Sequence, residues 1–234
     1  MYFSNENSPQ IALYRSAPVC HNEDNKYKGS FCMKKAFFDS ISAGILISIG
    51  GSVFLACENK VVGAVFFAVA LLCICYKGYY LFTGKVGYMV ESHKKNDWQN
   101  LFVGLVGNLI TTFVLGLVIR YALPNLGETA NTICTAKLTQ NFLQTLIRST
   151  FCGFLMYLAV SIFRDKQTPL AILYGIPVFI LSGFEHSIAD MFYFGASRIF
   201  DAKAILFFIA VIIGNSLGGI LLPILQNLAK GKRE

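Results

Sequence analysis

Six long apolar segments, separated by short polar connections, dominate the chain. They cover residues 36–56, 61–90, 101–123, 142–163, 169–200 and 202–228. A helix needs about 20 predominantly apolar residues to cross a bilayer, and each segment reaches that length. The pattern predicts an all-α integral membrane protein with six transmembrane helices in one domain over residues 25–234. Residues 1–24 are polar and mixed, which predicts a flexible N-terminal tail.

The second and fifth segments differ from the others because they are longer and interrupted. Each has about 30 residues, or about 45 Å as a straight helix, which exceeds the thickness of the hydrocarbon core. The second contains LFTGKVGYM, with Gly84 and Gly87, and the fifth contains SGFEHS after Pro177. Glycine permits non-helical backbone, which membranes tolerate only where protein buries it or where it lines a cavity. We therefore predict that both helices are broken.

A short motif recurs near the ends of the third and sixth segments. GLVGNLI in the third resembles VIIGNSLGG in the sixth, so that Asn108 and Asn215 correspond and each follows a glycine. The motif predicts two repeats, at about 36–123 and 142–228, each with a broken middle helix. Since three crossings make up a repeat, the second is inverted relative to the first. Paired interrupted segments indicate a transport site near the bilayer midplane, whereas chance recurrence leaves two matched anomalies unexplained.

Composition and charge narrow the class of protein further. The chain is 55% hydrophobic and only 14% charged, and its mean hydropathy is +0.55, so a soluble fold is excluded. The net charge of +7 comes without a cationic tract interleaved with aromatic residues, so we expect no nucleic-acid partner. Lysine and arginine concentrate on the side that carries both termini. The positive-inside rule then predicts a multi-pass plasma-membrane protein with both termini in the cytoplasm.

The two predicted breaks bring polar side chains to the middle of the membrane. Inverted symmetry would place Thr83 and His186 near each other at the centre of one pathway. A neutral imidazole donates a hydrogen bond or exchanges a proton near physiological pH, and half-helix N-termini favour anions. This chemistry suits the passage of a small anion, with or without a proton. Alternatively, His186 hydrogen-bonds a neighbouring helix and Thr83 caps the half-helix that follows it.

Together with LFTG, the Gly-Asn pairs and the six segments, GFEHSIADMF resembles the formate/nitrite transporter family over about residues 27–228. The resemblance implies a homopentamer with one aquaporin-like pore in each protomer. It implies a channel for small monovalent weak-acid anions (formate, nitrite or hydrosulfide) with proton-linked passage, no enzymatic activity, no cofactor and no metal. The stretch LFTGKVG is most similar to the hydrosulfide branch.

The same resemblance assigns roles to individual residues. It places the family's central histidine and threonine at His186 and Thr83. The apolar constrictions correspond to Leu71, Leu81 and Phe179 on one side and to Phe67, Phe82 and Met156 on the other, and the vestibule lysines correspond to Lys28 and Lys137. From periodicity and composition alone, the apolar residues would be core or lipid-facing and the lysines ordinary interfacial charges.

Several charged residues depart from the family pattern or stand inside apolar segments. Asp190 replaces the usual asparagine. Lys85 follows the predicted break, so it either faces the pathway as a selectivity residue or forms a salt bridge or snorkels. We expect Glu185 to accept hydrogen bonds from backbone amides that the break frees. Lys77 or Arg148 is the predicted partner of the buried carboxylates.

Two other classes of function fit parts of the pattern. The same architecture would serve a channel for neutral solutes such as water or ammonia, although lysines at the mouths disfavour it. A membrane redox enzyme would use Cys73, Cys75 and His186, although the cysteines lack the CxxC spacing and a nearby activating group. A purely structural membrane protein would leave the matched broken helices unexplained.

Overall fold

The computed structural model describes residues 26–90, 94–229 and 231, with side chains from Cys32 onward. The predicted tail at 1–24 and the side chain of Lys28 therefore lie outside the described part. All regular elements within it are helical, which confirms the all-α class. They are α1 (Lys26–Ala56), α2 (Lys60–Lys77), α3 (Phe82–Lys85), a 3₁₀ helix (Val86–Val90), α4 (Lys95–Ala122), α5 (Pro124–Lys137), α6 (Phe142–Lys166), α7 (Leu170–Leu181), α8 (Ser187–Ser197) and α9 (Ala202–Ala229).

Five of the described helices are long and apolar enough to cross a membrane. They are Cys32–Ala56, within α1, and the whole of α2, α4, α6 and α9. Helices α7 and α8 have 12 and 11 residues, so each is too short to cross alone. They lie end to end in the predicted fifth segment. The length and composition of these helices agree with a multi-pass membrane protein.

Glycines with positive φ lie where the second and fifth segments stop being helical. Gly78, with φ of 68°, ends α2, and its N–H donates to the carbonyl of Cys75. Gly183, with φ of 69°, follows α7. A side chain at either position would be strained in this left-handed conformation. The predicted break within LFTGKVGYM is therefore misplaced: helix α2 stops earlier, while Gly84 lies inside α3 and Gly87 inside the 3₁₀ helix.

Asn108, in the middle of α4, holds the start of α3. Its Oδ1 accepts a hydrogen bond from the backbone N–H of Phe82 at 2.9 Å. Its Nδ2 donates to the carbonyls of Ser40 and Tyr80, both at 2.9 Å. The asparagine thereby satisfies the N–H of Phe82 and the carbonyl of Tyr80, which lie at the interruption, and ties both to α1 through Ser40. A Cβ at Gly107 would collide with the side chain of Ser40, so glycine permits this close approach.

Asn215, in α9, makes the same three kinds of bond around the other interruption. Its Oδ1 accepts from the backbone N–H of Ser187, and its Nδ2 donates to the carbonyls of Ser149 and Glu185, all at 2.9 Å. A Cβ at Gly214 would collide with the side chain of Ser149. The two Gly-Asn pairs therefore have matching contacts as well as matching sequences.

The polar stretch that joins the third and fourth segments is helical. Residues Pro124–Lys137 form α5, with proline in the first turn, where its missing N–H costs nothing. A capping box between Asn141 and Gln144 then starts α6. Helix α5 packs on α8 and carries Lys137 at its C-terminal end. We call the end of the protein that carries this helix the α5 side.

Candidate functional site

Thr83 and His186 meet in the interior between the two interruptions. Thr83 Oγ1 lies 2.9 Å from His186 Nε2, although 103 residues separate them in the chain. Both side chains are buried. Thr83 lies in the first turn of α3, and His186 is the residue immediately before α8. The two asparagine contacts therefore hold the backbone beside each member of the pair.

The second ring nitrogen of His186 fixes the roles in this contact. Its Nδ1 accepts a hydrogen bond from the backbone N–H of Ala189 at 3.2 Å, so the side chain is the N-cap of α8. A neutral imidazole then carries its hydrogen on Nε2 and donates it to Thr83 Oγ1. Within the described residues no acceptor takes the hydroxyl hydrogen of Thr83. The pair thus presents an O–H donor to whatever lies beside it.

The six apolar residues assigned to the constrictions are all buried and belong to one hydrophobic core: Phe67, Leu71, Leu81, Phe82, Met156 and Phe179. The ring of Phe179 stacks on the imidazole of His186, with centroids 5.6 Å apart and planes 19° apart. Phe67 and Phe179 both line one cavity on the α5 side, and their assignment to opposite constrictions stays a prediction. Phe67 precedes Leu71 by one helical turn and is therefore closer to the start of α2.

That cavity has a volume of about 400 Å³ and combines aromatic and charged lining. Its charged side chains include Lys137, Glu185 and Asp190, and His186 lies at its wall. The cavity therefore leads from the charged end of α5 to the Thr83–His186 pair.

Lys137 contacts two carboxylates at once. Its Nζ forms an ion pair with Glu185 Oε2 and a second one with Asp190 Oδ1 at 3.0 Å. The side chains of the carboxylates are 2% and 3% exposed, and that of Lys137 is 15% exposed. Gln140 Nε2 donates to Glu185 Oε1 at 2.7 Å. We call Lys137, Glu185 and Asp190 the charged cluster.

Two expectations about these carboxylates are wrong. Their observed partner is Lys137, rather than Lys77 or Arg148. Glu185 also does not support the break by accepting from its amides: its carboxylate binds Lys137 and Gln140, and its own carbonyl accepts from Asn215. Asparagine performs the capping because its amide both donates and accepts, which a carboxylate cannot do.

Ion pairing fixes the charge of Lys137. Burial alone would lower the pKa of this ammonium, but the adjoining carboxylates of Asp190 and Glu185 outweigh burial and raise the pKa above its ordinary value. Lys137 is therefore a cation whose charge is already matched by two carboxylates. Its role as a vestibule lysine, which the resemblance implies, stays a prediction, and the side chain does line the cavity.

Lys85 is half-buried in the last turn of α3, two residues after Thr83. Its ammonium lies 5.9 Å from the centroid of the Tyr80 ring, within the range of a cation–π contact. No ion pair of Lys85 is found within the described residues. These residues do not support the salt bridge, whereas a pathway-facing Lys85 and a snorkelling Lys85 both stay predictions.

The geometry of α2 separates Cys73 from Cys75. Both residues lie on this helix, and the first is exposed while the second is buried. Positions two apart on a helix point to different faces, so these thiols are not directed at one another. Within the described residues no cluster of histidine, cysteine or carboxylate side chains has the arrangement of a metal site.

Comparison with known proteins decides the family. The model of the formate/nitrite transporter family matches residues 19–229. The chain belongs to the formate/nitrite transporter family. It is therefore a multi-pass membrane protein of a family of transporters and channels.

Individual relatives agree with this assignment. The formate channel FocA of Escherichia coli is 28% identical over 195 residues, which are 73% of this chain and 68% of FocA. A solved FNT family ion channel has a TM-score of 0.76 at 21% identity, covering 86% of this chain and 96% of its own. A pentameric formate channel with formate bound has a TM-score of 0.68 at 25% identity, covering 86% and 98%.

Proposed function

We propose that this chain is the protomer of a homopentameric plasma-membrane channel for small monovalent weak-acid anions such as formate, nitrite or hydrosulfide. The observation that carries the proposal is the buried contact between Thr83 and His186, enclosed by apolar side chains. Similarity to a formate channel and to a pentameric one supports the anion class and the oligomer.

The arrangement around this pair explains how an anion would pass. Bare charge in an apolar constriction costs several kcal/mol or more. The hydroxyl of Thr83, oriented by the neutral His186, supplies a hydrogen bond that offsets part of this cost. A proton that neutralises the weak acid offsets the remainder, so we expect uptake to be faster at low pH.

His186 itself is a poor carrier of that proton. Protonation would add a hydrogen to Nδ1, the atom that accepts the N–H of Ala189. Two donors would then face each other, and α8 would lose its cap. We therefore assign His186 the role of a neutral donor that orients Thr83, with the proton carried by the substrate.

We also infer the inverted repeat, with broken second and fifth helices, six crossings and both termini in the cytoplasm. The matched bonds of Asn108 and Asn215 support it, since each fastens the first N–H of a half-helix to a long helix of its own half. The excess of positive charge at the chain ends supports the orientation.

Stopped-flow uptake into proteoliposomes tests the function with formate, nitrite, hydrosulfide and acetate at two pH values. We expect anion uptake that Thr83→Val reduces by at least tenfold and Thr83→Ser leaves within a few-fold, because only valine lacks the hydroxyl. Fast hydrosulfide uptake with slow formate uptake would assign the chain to the hydrosulfide branch. Water or ammonia flux without anion flux would instead favour the neutral-solute channel, and His186→Ala with unchanged flux and pH dependence would refute the mechanism.

A further inference from the structure

We propose that the charged cluster is a proton-binding site, in which Asp190 carries one exchangeable proton and thereby sets the charge of the α5-side cavity. The proposal rests on the proposed function, because it concerns the entrance to the same pathway. It deepens that function by naming a titratable group other than the central histidine.

The charges of the cluster do not balance when both acids are ionised. One ammonium then faces two buried carboxylates, which leaves a net charge of −1 in a site with little water. Both carboxylates contact the same Nζ, so no more than about 6 Å separates their contacting oxygens, a distance at which like charges disfavour double ionisation. One proton on the cluster removes the imbalance.

The hydrogen bonds assign the proton to Asp190 rather than to Glu185. Glu185 has both oxygens occupied, by Lys137 and by Gln140. Asp190 Oδ1 faces Lys137, but its Oδ2 is buried with no hydrogen-bond partner in the described part of the chain. An ionised oxygen in that position would lose its hydration without compensation, whereas a neutral carboxyl group loses much less.

Other groups near the cluster do not supply the missing positive charge. Arg148 and Lys60 line the same cavity, but neither forms an ion pair with the cluster within the described residues. The remaining titratable groups around Asp190 are the thiols of Cys134 and Cys152, the phenol of Tyr193 and the imidazole of His186. The thiols and the phenol supply no positive charge, because each is either neutral or an anion. The neutral form of His186 follows from its Nδ1 contact.

The bound proton controls the access of anions. With the proton in place, the cluster has no net charge, and an anion enters the cavity without repulsion. Without it, the cluster carries −1 beside the route to Thr83. At the separations that one cavity allows, a buried unit charge changes the local concentration of an anion on the order of tenfold. Because the cluster lines the cavity, the proton exchanges with water on the α5 side.

The test compares formate uptake by the wild-type channel and by Asp190→Asn in proteoliposomes, across a range of external pH. Both proteins meet the same solution, so the ratio of their rates cancels the protonation of formate itself. We expect a ratio near one at the acidic end, rising on the order of tenfold at the alkaline end, because asparagine keeps the contact with Lys137 but cannot ionise. A ratio independent of pH would overturn the proposal.

Asp201→Asn is the matched control. Asp201 is exposed, and its side chain accepts the N–H of Ala204 at the start of α9, which asparagine also does. We expect this variant to follow the wild type at each pH. If it reproduces the effect of Asp190→Asn, general surface charge rather than the cluster is responsible, and the proposal fails.

Infrared difference spectroscopy of the purified wild-type channel supplies a measurement that does not need transport. We expect a pH-dependent band of a protonated carboxyl group that disappears in Asp190→Asn and persists in Asp201→Asn. Absence of that band from the wild type would overturn the proton site. A wild type that shows the band and transports no anion would instead refute the proposed function.

Discussion

Removal of the Asn215 side chain should lower the stability of this protein strongly, because the side chain makes three buried hydrogen bonds. Asn215→Ala leaves the N–H of Ser187 and the carbonyl of Glu185 without partners, and removes one bond to the carbonyl of Ser149. Each buried group left unsatisfied costs about 1–3 kcal/mol. Since the Ser149 carbonyl lies inside a helix and loses less, we expect the free energy of unfolding to fall by about 3–5 kcal/mol.

Unfolding of the purified protein in mixed micelles of increasing SDS content, followed by circular dichroism, measures this loss. Asn108→Ala should cost the same to within about 1 kcal/mol, because it removes the corresponding three bonds at the other half-helix. Asn131→Ala is the control, since that side chain makes one long bond of 3.5 Å to the carbonyl of Ser197. It should cost less than about 1 kcal/mol.

Two results would refute this reasoning. If Asn215→Ala destabilises no more than Asn131→Ala, the interruption before α8 does not depend on the asparagine. If Asn108→Ala and Asn215→Ala differ by more than about 2 kcal/mol, the two sites are not energetically equivalent, and the inverted repeat loses its main structural support.

Three further predictions follow from close packing and charge. Gly218→Ala places a methyl group against a backbone carbonyl of α6, so the free energy of unfolding in SDS should fall by about 2–3 kcal/mol. Gly175→Ala, where the methyl group meets ordinary contact distances, should change that free energy by less than about 1 kcal/mol. Lys137→Gln leaves two buried carboxylates without their cation, so the free energy of unfolding should fall by about 3 kcal/mol or more. A variant that unfolds at the same SDS content as the wild type would contradict the observed ion pairs. Lys85→Met should lower formate uptake several-fold while exposed Lys77→Met leaves it unchanged, and equal rates would exclude Lys85 from the pathway.

The long helices could be predicted from the sequence because hydrophobic length alone determines them. The hydrophobic pattern was less informative about where a helix ends, because backbone geometry determines that position. Helix α2 ends at Gly78, whose left-handed conformation leaves no trace in hydropathy, so the break was expected at Gly84 and Gly87 instead. Helix α5 was not predicted as a helix because its polar composition is equally typical of a loop.

In the candidate site, too, one contact could be predicted from the sequence and another could not. The meeting of Thr83 with His186 was predictable, because the sequence predicts two matched interruptions whose central residues approach each other. The partner of Glu185 and Asp190 was not. Lys137 is 48 residues from Glu185 along the chain and was assigned as a vestibule lysine, whereas Lys77 and Arg148 stand inside apolar segments. No periodicity encodes a pairing that depends on how one helix packs on another.

The contacts separate two kinds of damage at this site. Asn215 holds the backbone of the half-helix that begins beside His186, so its loss should lower both stability and transport. Thr83 contributes the hydroxyl that accepts the Nε2 hydrogen of His186, so its replacement by valine should lower transport and should also cost about 1–3 kcal/mol of stability, less than the loss of Asn215. Replacement of Asp190 by asparagine tests a different property. It preserves the contact with Lys137 and removes only the ionisation of the side chain. A variant that changes the pH dependence while leaving the unfolding midpoint unchanged therefore reports on the proton itself rather than on the fold that surrounds it.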